Sequence, residues 1–336
     1  MKLTTMSKVG GVLAASVLAL TACGVSNEGG NSGGGGDETA AGGGSEVDWS
    51  DCTPGEESAD TSSMEADSDT DITIGAFDGW DESFAAAHLY KYLLEQDGYT
   101  ADVQSFQAGP GYTGLAEGDI DVILDGWLPL THADYLEQYG EDIEAHGCWY
   151  DNAKLTLAVN EDSPAQSIAD LAEMGDEYGN RIVGIEAGAG LTKTTEESAI
   201  PTYGLEDYEF IVSSTPAMLS ELKKATDSGD NILVTLWRPH WAYDAFPVRD
   251  LEDPEGAMGE AELIYNFTRS GFSDDHPKAG QLLKNLVIDD EALSSLENVM
   301  FSEENYNGED LDGAVEEWAG DNAEFFENWK SGSMAG

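Results

Sequence analysis

The chain has 336 residues, with 14 Lys plus Arg against 67 Asp plus Glu and a formal net charge of −53. A surface this acidic excludes nucleic acid and anionic lipid surfaces as partners, since both carry the same sign. Self-repulsion on this scale is costly in dilute buffer and screened within about 3 Å at 1 M salt, so the composition predicts the protein of a halophile, working at high external salinity.

Met1-Lys2 and Lys8 give a positive start, Val9 to Ala19 form an apolar run too short for a good transmembrane span, and Leu20-Thr21-Ala22-Cys23 is a small-residue cleavage site ending in cysteine. Residues 1–22 therefore read as a secretory signal. The site resembles the lipobox of bacterial lipoproteins, which implies that Cys23 becomes the lipidated first residue on the outer face of the cell membrane.

Residues 23–70 are rich in Gly, Ser, Asp and Glu and nearly free of apolar side chains. Such a stretch buries too little surface to offset the entropy of ordering it, and a flexible acidic tether is expected. Asp67, Asp69 and Asp71 imitate the start of a calcium loop, but Ile72 stands where the sharp-turn glycine belongs, so a solvated segment without metal is expected. With Cys23 set aside, Cys52 and Cys148 remain. In an exported chain an isolated pair points to a disulfide rather than a metal site.

From Asp71 to Lys330 apolar runs alternate with helical patterns. The patterns predict strands at Asp71 to Gly75, Thr100 to Gln104, Asp121 to Leu124, Leu155 to Val159, Ile182 to Ile185, Glu209 to Val212 and Asn231 to Leu236. Helices are predicted from about Glu82 to Gln96, capped by Asp81 or Asp78, and from Pro216 to Thr226, where Ser214 supplies a cap and Pro216 a first-turn proline. Further helices are expected at Ser167 to Met174, Pro277 to Leu286, Asp290 to Glu297 and Leu311 to Lys330. The alternation indicates an α/β fold with parallel sheets, long enough for two lobes.

Trp80, Trp127 and Trp237 each follow a predicted strand, the place where open α/β sheets bind ligands. Three indole faces meeting in one crevice suit a quaternary ammonium cation, which has no N–H to donate. Gly188-Ala189-Gly190 follows the strand Ile182 to Ile185, where bare backbone can present N–H groups, and His132 can donate from a ring nitrogen. A betaine, cationic at one end and anionic at the other, needs both kinds of partner. Trp149, Trp318 and Trp329 read as core, Trp241 and His240 as structural neighbours of Trp237, and His88, His146 and His276 lack partners at metal-ligand spacing. No Gly-x-Ser-x-Gly or His-Glu-x-x-His occurs in residues 71–330, which weighs against an enzyme, and Gly184, Gly188, Gly190 and Lys193 lack the spacing of a phosphate loop.

Gly79-Trp80-Asp81-Glu82, Trp127-Leu128-Pro129-Leu130-Thr131-His132, the run from Ile182 to Leu191, and Trp237-Arg238-Pro239-His240-Trp241 together resemble the glycine betaine-binding proteins of ABC importers. The resemblance covers roughly residues 71–330. It implies a two-lobed periplasmic-binding-protein fold, type II-like, each lobe a mostly parallel sheet flanked by helices and closing on ligand like a hinge. Lobe I is expected at 71–157 and 246–330, lobe II at 158–245. The resemblance further implies a box of Trp80, Trp127 and Trp237 for the trimethylammonium group, with His132 and the backbone N–H groups of Gly190 and Leu191 for the carboxylate. No cofactor is implied; the partners are a betaine ligand and an ABC permease with its ATPase subunits, the protein itself being a monomer. Leu191 replaces a usual isoleucine, and Arg238 beside the third tryptophan is unusual, expected to point to solvent or else to add a carboxylate contact. Choline and carnitine stay open as ligands, and so does a sensory module on the same fold.

Overall fold

Two parallel three-stranded units frame the sheet. A computed structural model describes residues 48–334, with strands β1 (Asp71–Phe77), β2 (Thr100–Phe106), β3 (Val122–Leu128), β4 (Ile143–Asn160), β5 (Arg181–Val183), β6 (Glu209–Ile211), β7 (Leu233–Arg238), β8 (Val248–Asp250) and β9 (Glu262–Arg269). Their order is β2-β1-β3-β9-β4-β7-β5-β6, with β8 added to β4. β2, β1 and β3 are parallel, as are β7, β5 and β6. Between the two units, β9 runs antiparallel to both β3 and β4, and β4 antiparallel to β7. The sheet is therefore mixed, and the expectation of mostly parallel pairing fails at its centre, because the chain returns after β8 to insert β9 beside β3.

One strand serves both lobes. β4 pairs with β9 from Ile143 to Ala153 and with β7 from Lys154 to Val159. The hydrogen bonding changes hands there, earlier in the chain than the expected boundary at 157/158. β8, which follows the expected return at 246, still pairs with the second-lobe half of β4. No Gly or Pro punctuates the crossing, so the sequence carries no mark of it.

The helix Asp81–Gln96 covers the first lobe, burying Ala85, Ala86, Leu89, Tyr90, Leu93 and Leu94 on one side. Neither Asp81 nor Asp78 caps it: Trp80 occupies the cap position, with no side-chain hydrogen bond. The helix Thr215–Ser228 is capped by Ser214, whose hydroxyl accepts from the Ala217 N–H. The predicted helix from Leu311 to Lys330 is two, Leu311–Asp321 and Ala323–Ser331, broken at Asn322.

Residues 48–70 lie on the folded body, which corrects the end of the expected tether. Asp67 accepts from the N–H groups of Lys278 and Ala279, both at 3.0 Å, in the first turn of the helix Pro277–Asn285, and from the Tyr99 hydroxyl at 2.6 Å. Thr61 donates from both N–H and hydroxyl to the Lys330 carbonyl. A disulfide joins Cys52 to Cys148 in β4. Composition marked these residues as solvated, whereas their acids and hydroxyls serve as remote helix caps. The signal at 1–22, Cys23 and the rest of the tether to residue 47 lie outside the described residues.

Candidate ligand-binding site

Trp127 and Trp237 sit near the C-terminal ends of β3 and β7, inside the strands rather than after them, and Trp80 opens the helix Asp81–Gln96. All three line one small pocket, together with His132, Gly190, Leu191 and Glu82. The indoles are 7%, 3% and 3% exposed for Trp80, Trp127 and Trp237, so their faces turn inward.

His132 is the polar centre. Its Nδ1 accepts from the Trp127 backbone N–H at 3.0 Å and lies 3.2 Å from the Tyr112 hydroxyl, which fixes the ring proton on Nε2. Nε2 is buried and has no partner among the described residues. Its ring stacks on Trp80, with centroids 5.5 Å apart and planes 12° from parallel. Burial lowers its pKa to about 3, so the imidazole is neutral and offers one N–H donor.

Gly190 and Leu191 begin the short helix Gly190–Thr194, where first-turn N–H groups have no intrahelical acceptor. Neither finds another among the described residues. The pocket thus places a free imidazole donor and two free amides beside three aromatic faces, a layout that can receive an anion at one end and a soft cation at the other.

Sequence reasoning missed the carboxylates that hold the indoles by their edges. Trp127 Nε1–H donates to Asp125 Oδ1 at 2.7 Å and Trp237 Nε1–H to Glu82 Oε2 at 2.9 Å. An acceptor at the indole N–H pushes electron density into the ring and strengthens its negative face. Burial raises Asp125 to about 7, and burial together with the charges of Asp125 and Glu297 raises Glu82 well above the usual carboxylate range. Asp125 was detectable in principle: it is the one charged residue in the fully buried strand Val122–Leu128 and shares a face with Trp127 two residues on.

Arg238 turns outward, as expected, with its side chain 41% exposed. Its Nε donates to Asp250 Oδ2 at 2.6 Å and its guanidinium lies 3.6 Å from the Tyr243 ring centroid, away from the pocket lining. His240 packs edge-on against Trp237 at 4.5 Å, with Nδ1 accepting from the Ala242 N–H. Trp241 donates from its indole to Asp81.

Contacts cross the cleft. Trp237 to Glu82 and Trp241 to Asp81 join second-lobe indoles to the first-lobe helix, Tyr135 donates to the Gly188 carbonyl at 3.1 Å, and Lys193 pairs with Asp134. The lobes are closed on one another.

Residues 70–321 match the model of a family described as the substrate binding domain of ABC-type glycine betaine transport system. The chain belongs to this family. The glycine betaine/carnitine transport binding protein of Listeria monocytogenes is 36% identical over 162 residues, covering 48% of this chain and 52% of that protein. The chain thus spans about half the length of this curated relative. Among solved structures, the lactococcal OpuAC in its closed-liganded conformation with glycine betaine superposes with a TM-score of 0.71 at 25% identity, covering 78% of this chain and 99% of that one. An ABC-transporter choline binding protein in complex with choline gives 0.68 at 28% identity, covering 78% and 92%. The two-lobed α/β binding-protein fold is common to them, and the family is one of binding proteins rather than enzymes.

Proposed function

We propose that the chain is the extracytoplasmic binding component of an ABC importer, anchored through Cys23, that captures glycine betaine or a close quaternary ammonium zwitterion and delivers it to a permease with its ATPase subunits. Trp80, Trp127 and Trp237 take the trimethylammonium group. His132 Nε2–H and the Gly190 and Leu191 N–H groups take the carboxylate. The observation that carries this reading is the unpartnered, buried His132 Nε2 beside the tryptophans: a buried donor left unmade costs about 1–3 kcal/mol, which a ligand anion recovers.

The energies require both ends. Cation–π contacts are worth about 0.5–2 kcal/mol each, so three give roughly 2–6, whereas micromolar affinity needs about 8 kcal/mol. The carboxylate bonds, at about 1.5–3 kcal/mol each, supply the difference. Choline, having no carboxylate, leaves the donors empty, and the free donors are the reason to prefer a betaine despite the likeness to a choline binding protein.

Calorimetric titration of glycine betaine and of choline, in molar salt, into the chain without its signal segment tests the assignment. Betaine should bind at least tenfold more tightly than choline, and Trp127→Ala should weaken betaine by about 2 kcal/mol or about thirtyfold. Choline binding with no heat from betaine would reassign the ligand.

A further inference from the structure

Four carboxylates crowd behind the cage. Glu82 and Asp81 come from the helix Asp81–Gln96, Asp125 from β3, and Glu297 from the helix Asp290–Phe301. Glu82, Asp125 and Glu297 are 2%, 0% and 0% exposed. The groups around them are indole and hydroxyl donors, further acids and one imidazole: Trp237 on Glu82, Trp127 and Ser83 on Asp125, Trp241 on Asp81, Asp244 towards Glu297, and His240 with Nε2 3.9 Å from Asp81 Oδ2. Burial holds His240 neutral, its pKa lowered to about 3. Among the described residues no lysine or arginine forms an ion pair with any of the four. Asp125 Oδ2 and both Glu297 oxygens have no hydrogen-bond partner.

Several buried anions without a counter-charge are not sustainable; such groups take up protons instead. Two of these acids touch the cage directly. Glu82 lines the pocket and holds Trp237, and Asp125 holds Trp127. A cation seated on those ring faces brings a permanent positive charge to the carboxylates that otherwise require a proton.

We propose that Glu82 and Asp125 form a proton-binding pair coupled to the tryptophan cage, so that a quaternary ammonium ligand binds with release of a proton. The carboxyl O–H bond breaks, the proton goes to buffer, its electron pair stays on the carboxylate, and the ligand's ammonium charge replaces the lost proton, leaving the net charge at the cage end of the site unchanged. Raising the pH removes the competing proton, so affinity increases with pH until the ligand-free pair is ionised. This inference rests on the cage being a cation site and adds to it a specificity rule: a ligand of the same shape without a fixed positive charge releases no proton and leaves the pair protonated.

The test is calorimetry on the chain without its signal segment, with glycine betaine in two buffers of different ionisation enthalpy, repeated between about pH 6 and 8. Tetramethylammonium, which lacks a carboxylate and so leaves His132 unengaged, serves as a second probe. The expected result is a heat that differs between buffers by a sizeable fraction of one proton per ligand, released with both probes, and an affinity rising by up to about tenfold per pH unit at full release. Glu82→Gln retains an acceptor for Trp237 and should reduce the proton count and flatten the pH dependence; Asp125→Asn is the companion variant. The unmodified protein decides the question by itself if either variant fails to fold. Betaine binding with equal heats in both buffers and a pH-independent affinity overturns the coupling and leaves the cage assignment intact. Absence of binding by either probe at every pH overturns both.

Discussion

Gly190 meets Thr131 across the closed cleft with no room for a side chain: a β-carbon at 190 would stand 2.3 Å from the Thr131 carbonyl oxygen and 2.9 Å from its carbonyl carbon. Thr131 follows β3 in the first lobe, and Gly190 lies beyond β5 in the second. The glycine is therefore required by the approach of the lobes, besides offering its N–H.

Gly190→Ala should hold the lobes apart. The expected result is at least tenfold weaker betaine binding, an unchanged unfolding midpoint without ligand, and a radius of gyration by small-angle scattering that no longer contracts when ligand is added. Wild-type affinity in this variant would mean that the cleft need not close this far.

His132 acts on the anionic end alone. His132→Phe, which keeps a flat ring against Trp80 but has no N–H to donate, should cost betaine about 1.5–3 kcal/mol, or roughly ten- to a hundredfold in Kd, the worth of a hydrogen bond to a charged group. Choline affinity should stay within about threefold. Equal losses for both ligands would assign His132 to supporting Trp80 and Trp127 instead.

The Cys52–Cys148 bridge closes a loop with a sequence separation of 96. A constraint of that length on the unfolded chain is worth about 4–5 kcal/mol in the loop-entropy model. The double Ser variant should unfold at a clearly lower temperature while binding betaine within about twofold of wild type, since neither cysteine lines the pocket. Thermal melts with and without reductant, followed by titration, check both halves of this statement.

The buried acids and histidines give opposite pH trends. Asp81 and Asp125 are raised to about 7, and Glu82 and Glu297 well above the usual carboxylate range, so their contribution is complete at low pH and is lost as pH rises through the folded values. His132 and His240 are lowered to about 3 and His146 to about 4, so theirs is complete above the ordinary histidine value and lost as pH falls. Of these groups, only the acids titrate between about pH 6.5 and 8. Denaturant midpoints of the ligand-free protein should therefore fall across that interval, and saturating betaine should flatten the slope; a midpoint that rises would contradict protonated acids behind the cage.

Much of the site could be read from residue order. Trp80, Trp127, Trp237, His132, Gly190 and Leu191 were singled out from strand-end positions and motif resemblance, and one pocket gathers them. Glu82 was quoted in a motif yet given no role, because a glutamate in the first turn of a helix ordinarily serves the helix dipole in solvent. The partners of Arg238 were not legible, because Asp250 and Tyr243 become its neighbours only when β8 folds onto β4. The first half of β4 escaped notice because Gly147, at φ 81°, and the register shifts around Cys148 break the alternation that marks a strand. β9 carries strand-forming Ile, Tyr, Phe and Thr, but Glu262 and Asn266, buried and hydrogen-bonded, interrupt its apolar run.

The shared strand β4 decides how this protein can be taken apart. A cut between Ala153 and Lys154 would leave each half with a severed strand and an open sheet edge, the kind of surface that pairs with other chains and aggregates. The lobes are thus not interchangeable modules, and neither would be recovered by expressing it separately. A fluorescent reporter of ligand capture belongs on an exposed helix face such as Gly320 in the helix Leu311–Asp321, where a β-carbon meets nothing within 4 Å, so that β4 remains whole and can carry the motion of one half to the other.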